Sequence, residues 1–269
     1  MSDLGRQLCD LASRLAVAAG EFVLEGRTHG VKSASSKSSA TDIVTEFDRA
    51  SERMIVEGLL TERPDDAIVG EEGTNSAGAS GVGWLIDPID GTTNFLYDLP
   101  GYAVSIAAVA DDGTLAGAVY VPGTHELFTA VAGEGARLNG LPISCGRTTT
   151  LDEALVATGF SYIVDRRRDQ GRRFADLIPK VRDVRRFGAA STDLCHVACG
   201  RLDAYYEQWL GPWDWAAGEL IAREAGCRTG RFDGGPLGQS EVLAANPVLF
   251  DQMVELLAVT EPGRNPGIM

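Results

Sequence analysis

Residues 84–95 read WLIDPIDGTTNF, a short apolar run that ends in acid and passes into a Gly-Thr-Thr turn. Trp84, Leu85 and Ile86 have the composition of a buried strand, and Asp87 is expected to end it. Pro88 fixes its own φ and carries no amide hydrogen, so the turn from Asp87 to Asp90 is stiff. Both carboxylates can then face one cavity, with the Ile89 carbonyl as a further oxygen donor. Gly91, Thr92 and Thr93, opening a helix, offer amides and hydroxyls to an anion. The same event occurs upstream, where the apolar residues 67–70 run into Glu71 and Glu72. A carboxylate at the end of a buried strand is costly unless something positive compensates it. Few side chains nearby could do so. A hard divalent cation (Mg²⁺, Mn²⁺ or Ca²⁺) suits an all-oxygen donor set.

Outward from this stretch the chain alternates. Leu4, Leu8, Leu11, Leu15, Ala18 and Phe22 recur at helical spacing, and a second helix is expected from about Thr45. Residues 30–39 are rich in Ser, Gly and Lys and read as a loop, as do residues 73–83. Residues 102–110, 115–121 and 127–132 read as an antiparallel meander. The second half predicts strands at 155–158, 184–187, 204–206 and 242–245. Helices are expected at 165–178, 190–198, 213–225 and 248–259. The strand at 204–206 is expected to end on another carboxylate, Glu207. This alternation implies a layered α/β or α+β fold.

With 269 residues, 44% hydrophobic and 23% charged, the chain can bury a full core without staples. The longest apolar stretch is far too short to span a bilayer, and early charges argue against a secretory leader. A net charge of −14 disfavours nucleic-acid binding. Five cysteines with no C-x-x-C pair read as reduced thiols of a cytoplasmic protein. Cys195, His196 and Cys199 lie among apolar neighbours and read as core rather than metal ligands. Arg166, Arg167, Arg168, Arg172 and Arg173 read as a solvated or subunit-contact face, with a basic rim that steers anionic substrate as the other reading.

Asp214, in Trp213-Asp214-Trp215-Ala216-Ala217-Gly218, is either a helix N-cap or a third carboxylate of the site. The small Ala-Ala-Gly would let this helix approach another backbone closely. Taken with TDIVTEFD (41–48), GEE (70–72), DPIDGTTNF (87–95) and DAYYE (203–207), this segment resembles the inositol monophosphatase family. That family belongs to the Mg²⁺-dependent, Li⁺-sensitive phosphatases. The resemblance runs from about Lys37 to Ala245, and its later part is most similar to actinobacterial members.

The resemblance implies an αβαβα sandwich, a single phosphatase domain over 1–269 with an α+β half (1–145), an α/β half (146–269) and the site between them. It implies two to three Mg²⁺ ions, with Mn²⁺ as a possible substitute, held by Glu71, Asp87, the Ile89 carbonyl, Asp90 and Asp214. Glu72 and Thr92 would orient the attacking water, with Asp48 bonded to the threonine. Gly91, Thr92 and Thr93 would bind phosphate. The Ala190 amide and Glu207 would meet sugar-alcohol hydroxyls, and Lys37 would close over the site. A homodimer acting on a small phosphate ester, with no nucleic-acid or membrane partner, is implied as well.

Metal chemistry requires no histidine, and His29, His125 and His196 lie in no motif. One residue departs from the family pattern: Ala189 stands where a Ser or Thr is usual, although Ser191 is close by. Inositol-1-phosphate is the expected substrate. Histidinol phosphate, 3′-phosphoadenosine 5′-phosphate, fructose-1,6-bisphosphate and NADP are the competing esters, and a regulatory binding role is the reading from another class.

Overall fold

The computed structural model describes residues 2–28, 34–36, 43–238 and 241–259. Lys37 lies outside the described residues, as do Thr41 and Asp42. Seven α-helices are described: α1 Ser2–Thr28, α2 Glu46–Glu62, α3 Thr92–Leu96, α4 Val164–Leu177, α5 Ala190–Ala198, α6 Pro212–Glu224 and α7 Pro247–Val259.

An eight-stranded sheet has the spatial order Leu141–Pro142, Ala136–Leu138, Glu126–Val131, Gly113–Val121, Ala103–Ala110, Gly83–Asp90, Ala67–Gly70, Asn75–Ser76. All its pairs are antiparallel except Ala67–Gly70 with Gly83–Asp90. A five-stranded sheet runs Asp183–Arg185, Leu155–Thr158, Ala204–Gln208, Glu241–Ala245, Arg228–Gly230. Its first two pairs are parallel and its last two antiparallel. Ala34–Ser36 and Ile43–Thr45 form a separate pair.

The period-two alternation of strand side chains sorts these elements into layers. Trp84, Ile86, Val104, Ile106 and Ala108 bury against Leu8, Leu11, Ala12 and Ala16 of α1 and Ile55 and Leu59 of α2. Ala103, Ala107, Val119 and Phe128 face the other way, onto Leu194 and Val197 of α5 and Ala217, Leu220 and Ile221 of α6. The same central cluster takes in Ala157, Tyr205, Val242 and Ala244 from one face of the second sheet. Val156, Ala204, Tyr206 and Leu243 on its opposite face pack on Leu177 of α4 and Leu249, Phe250 and Met253 of α7. The order is helix, sheet, helix, sheet, helix, an αβαβα sandwich.

The central helices sit unusually close to their neighbours. A Cβ on Gly218 would lie 2.9 Å from the Leu194 Cβ and 3.0 Å from the Ser191 carbonyl oxygen, so α5 and α6 touch almost backbone to backbone. Gly218→Val is therefore expected to cost about 1–3 kcal/mol through overpacking. In a chain of this size that lowers Tm by roughly 3–10 °C. An unchanged calorimetric Tm would mean the α5–α6 contact has slack to give.

Four local expectations are corrected. The strand at Trp84 does not stop at Asp87 but continues to Asp90, with a register shift between the two against Ser105 and Ala103. Pro88 falls inside that shift, where its missing amide hydrogen costs no ladder bond. Glu207 lies within the strand Ala204–Gln208 rather than after it. The Gly- and Ser-rich stretch after Glu72 contains the strand Asn75–Ser76, and the Ala79 and Ser80 amides both donate to the Asp65 carbonyl (2.7 and 3.1 Å). Its small residues serve close backbone packing: a Cβ on Gly78 would meet the Ala67 nitrogen at 2.2 Å. Finally, Arg173 is buried, donating to Gln208 and stacking 5.0 Å from the Phe232 ring centre, while Arg168 and Arg172 make exposed pairs with Asp165 and Asp169.

Candidate active site

A cavity of about 330 Å³ opens where the two sheets and the central helices meet. Glu71, Asp87, Ile89, Asp90, Gly91, Thr92, Ala190, Glu207 and Asp214 all line it. These residues come from two stretches of the chain, 71–92 and 190–214, and specific bonds hold the parts together. The Asn94 amide group donates to the carbonyls of Gly101 (2.9 Å) and Phe187 (2.6 Å). Ser105 Oγ donates to the Trp213 carbonyl (3.2 Å), which fixes the start of α6.

Asp90 caps a helix that begins a hundred residues later. Its carboxylate accepts from the Ala190 amide (3.2 Å), the Ser191 amide (2.7 Å) and Ser191 Oγ (2.6 Å). Ala189, the residue just before α5, has no side-chain oxygen to do this. The first-turn amides of a helix have no partner within it and carry partial positive charge, so they stabilise an anion placed there. The Ala190 amide, expected to face substrate, thus serves Asp90 in this structure. Ser191 Oγ is likewise spent on Asp90, and Ser191 does not line the cavity, so it does not replace the hydroxyl missing at Ala189. Ala189 is buried and does not line the cavity.

Burial first, and then mutual repulsion, sets the electrostatics. Asp87 is pushed well above the ordinary carboxylate range by burial and by Glu71, Asp90 and Asp214. Asp214 is raised by burial and by Glu71 and Asp90. Asp90 rises only to about 6, because the Ser191 and Ala190 donors oppose its burial. No lysine or arginine is among the groups that bear most on Asp87 or Asp214. These buried oxygen acids lack positive compensation, and that is the donor chemistry a hard divalent cation fits. Among the described residues, no three His, Cys, Asp or Glu side chains are grouped as a finished metal site. The acids share one cavity and one field without being closed around a point.

Asp214 is not the N-cap. Gly211 takes that position, and Asp214, at the third helical residue, accepts from the Gly211 amide (2.6 Å). One carboxylate oxygen therefore secures the helix start while the residue lines the cavity. Gly91 has φ +90, a left-handed conformation that favours glycine, and it caps the single turn of α3.

α2 staples the site from behind. Thr45 caps it, accepting from the Phe47 amide (3.1 Å), and the Thr45 amide donates to Asp48 Oδ2 (2.8 Å). The other Asp48 oxygen lies 2.9 Å from Thr92 Oγ1, which is also 3.0 Å from the Ile89 carbonyl. Burial raises the Asp48 carboxyl despite these donors. One turn on, Ser51 Oγ donates to the Pro88 carbonyl (3.2 Å). Glu52 accepts from the Glu72 amide (2.7 Å), the Thr74 amide (3.0 Å) and Thr74 Oγ1 (2.6 Å). The sequence places Ser51 on the side of the second helix that carries Ile55 and Leu59, but gives neither Ser51 nor Glu52 a role at the site. Their signal is two polar residues on the face of α2 that otherwise buries Ile55 and Leu59.

Glu72 and Thr93 do not line the cavity. Thr93 instead bonds the Tyr162 side chain, which does line it. At the far end Glu207 Oε2 accepts from the Tyr205 hydroxyl (2.6 Å), and burial raises its carboxyl to about 7. Asp193, Arg186 and Trp209 also line the cavity and were not anticipated. Arg166 lies 5.2 Å from the Trp209 ring centre, so one member of the arginine cluster does reach the rim.

A five-layer sandwich with a carboxylate-lined cavity between its two sheets defines a class of metal-dependent phosphatases. The chain matches the inositol monophosphatase family over residues 6–260 and belongs to it. It is 42% identical to an inositol-1-monophosphatase of Mycobacterium bovis, over 93% of each chain. It is 38% identical to a Nus factor SuhB of Pasteurella multocida, over 92% of this chain and 94% of that one. Among solved structures, the Thermotoga maritima IMPase superposes with a TM-score of 0.86 at 31% identity, covering 97% of this chain and 98% of that one. The family is one of phosphatases and is metal-dependent as a class. Among the described residues, no helix is long and apolar enough to cross a membrane.

Proposed function

We propose that the protein hydrolyses inositol-1-phosphate to inositol and phosphate, using two to three Mg²⁺ ions that Mn²⁺ can replace. The observation that carries this reading is the set of carboxylates lining one cavity with Glu207: buried Asp87 and half-buried Asp214, neither with a cationic side chain bearing on it, and buried Asp90, which only the start of α5 compensates. Glu71, Asp87, Asp90, Asp214 and the Ile89 carbonyl would hold the ions. Bound there, they would supply Lewis acidity to the phosphoryl transfer and would reverse the sign of a site that otherwise repels a phosphate dianion.

The chain's own groups do the rest. Thr92, held by Asp48, orients the water; Glu72 shares that role by resemblance alone, since it does not line the cavity. The amides after Gly91 are assigned to the phosphoryl oxygens; the Thr92 and Thr93 hydroxyls share that role by resemblance alone, since Thr92 Oγ1 is held by Asp48 and Ile89 and Thr93 lies outside the cavity lining. Glu207, held by Tyr205, takes a hydroxyl of the leaving alcohol. Lys37 is assigned to the closing loop by resemblance alone. We also read the protein as a cytoplasmic homodimer forming a single phosphatase domain; its five cysteines are all free.

Phosphate release is the test. Inositol-1-phosphate, histidinol phosphate, fructose-1,6-bisphosphate and 3′-phosphoadenosine 5′-phosphate would each be offered with Mg²⁺, with Mg²⁺ plus Li⁺, and with EDTA. A kcat/KM for inositol-1-phosphate at least ~100-fold above the rest, about 2.7 kcal/mol, is expected. Preference for another ester would keep the metal site and discard the inositol reading. The Nus-factor name of some relatives supports a second reading, a regulatory binding role. That reading gains if no ester is turned over and an Asp90→Asn protein still retrieves transcription components.

Glu207→Gln should chiefly raise KM for inositol-1-phosphate, by about 10-fold, the worth of one hydrogen bond to a charged group. Equal kinetics for the two proteins would remove Glu207 from substrate recognition.

A further inference from the structure

Asp193 lies in the first turn of α5 and is 1% exposed. It lines the same cavity as Glu207, yet its Oδ1 is buried with no hydrogen-bond partner. The helix start does not need it, because the Ala190 and Ser191 amides are already taken by Asp90. Burial, with the charges of Glu207 and Asp90, holds this carboxyl well above the ordinary range, and Arg186 only partly opposes them.

A buried polar atom left without a partner is destabilising. A core position would shed that cost by substitution; a binding site recovers it when the ligand arrives. The neighbouring acid is fixed in place. Glu207 is tied to Tyr205, and there is no room beside it: a Cβ on Gly159 would lie 1.9 Å from Glu207 Oε2. This end of the cavity therefore offers an anchored carboxyl and an unsatisfied one. That pairing suits an alcohol with more than one hydroxyl and gives nothing to an aryl group.

We infer that Asp193 Oδ1 accepts a hydrogen bond from a hydroxyl of the leaving alcohol, and that with Glu207 it selects polyol phosphates over phosphate esters without free hydroxyls. The inference rests on the proposed phosphatase reading and assigns Asp193 a specificity-determining role within it.

The test compares inositol-1-phosphate with p-nitrophenyl phosphate, which has no alcohol hydroxyl, in wild-type protein and in Asp193→Ala and Asp193→Asn. The ratio of the two kcat/KM values is expected to fall about 10-fold in Asp193→Ala. The loss should sit mainly in KM for the polyol ester. Asp193→Asn, which keeps an acceptor oxygen in place, should recover most of the ratio. A merely structural role would lower both substrates together. An unchanged ratio in Asp193→Ala overturns the inference, and so does Asn performing no better than Ala. If Asp193→Ala does not fold, Asp193→Leu withdraws the acceptor while filling the space and is read the same way. Wild-type protein that hydrolyses p-nitrophenyl phosphate but not inositol-1-phosphate would overturn the substrate reading and this inference together. Wild-type activity on both, with an insensitive ratio, overturns the role of Asp193 alone.

Discussion

Asp90→Asn is expected to lower kcat/KM for inositol-1-phosphate about 1,000-fold or more, roughly 4 kcal/mol of transition-state stabilisation. Asparagine nearly preserves the shape of the side chain and keeps one acceptor oxygen, enough for the Ser191 donors on Oδ2 but not also for the Ala190 amide on Oδ1. What disappears is the negative charge, and with it the ability to hold a cation opposite the phosphoryl group. Asp90 has two duties, however, and a collapse of α5 could imitate the loss. Ser191→Ala separates them. It removes only the Oγ bond to Asp90 and leaves the carboxylate, so its effect should stay below about 10-fold. Steady-state kinetics at saturating Mg²⁺, with a circular-dichroism check of folding, decide the matter. Near-wild-type turnover by folded Asp90→Asn would show that this carboxylate is no ligand.

Much of the candidate site's cavity lining was legible because it is local in sequence. Asp87, Ile89, Asp90, Gly91 and Thr92 follow one another within six residues, and a stiff proline between two acids dictates their proximity. The layers were legible for a related reason: a near-continuous apolar run such as Ala103–Ala110, in place of apolar–polar alternation, marks both faces of the strand as buried. What could not be read was the long-range pairing. Nothing near Ser191 announces that its amide will meet an acid a hundred residues earlier, and nothing near Asn94 points to the Phe187 carbonyl. Asp214 shows the limit most clearly. Its sequence position suited either a cap or a site acid, and it lines the cavity while bonding the Gly211 amide. Arg173 was misread because its neighbours in sequence are solvated, whereas its neighbours in space are Gln208 and Phe232. Helical spacing alone cannot say which arginine faces inward.

Mg²⁺ at about 100 times its Kd is expected to add about 2.7 kcal/mol of stability near neutral pH, raising Tm by roughly 5–10 °C for a chain of this size. The pH dependence fixes the cause. Asp90 (about 6), Glu207 (about 7), Asp87 and Asp214 all have folded-state values above their unfolded ones. Below about pH 4 these groups are protonated whether the chain is folded or not, so their burial is not penalised by charge. As pH rises from there through about 6 to 7, the unfolded chain releases their protons freely while the folded chain resists. The unfolded state then binds fewer protons, and stability falls. In EDTA, Tm should therefore drop across this window. A divalent cation should restore the loss at neutral pH and do little at pH 4, where protons occupy the same oxygens. Asp87→Asn should behave as the converse: more stable than wild-type protein in EDTA at pH 7.5, yet with a smaller Mg²⁺ shift and with activity lost. A Tm indifferent to both pH and Mg²⁺ would mean that these carboxylates are already neutralised within the protein. A stabler but inactive Asp87→Asn would mean instead that the fold tolerates mutual repulsion among its acids because that repulsion is what gives the cation its affinity.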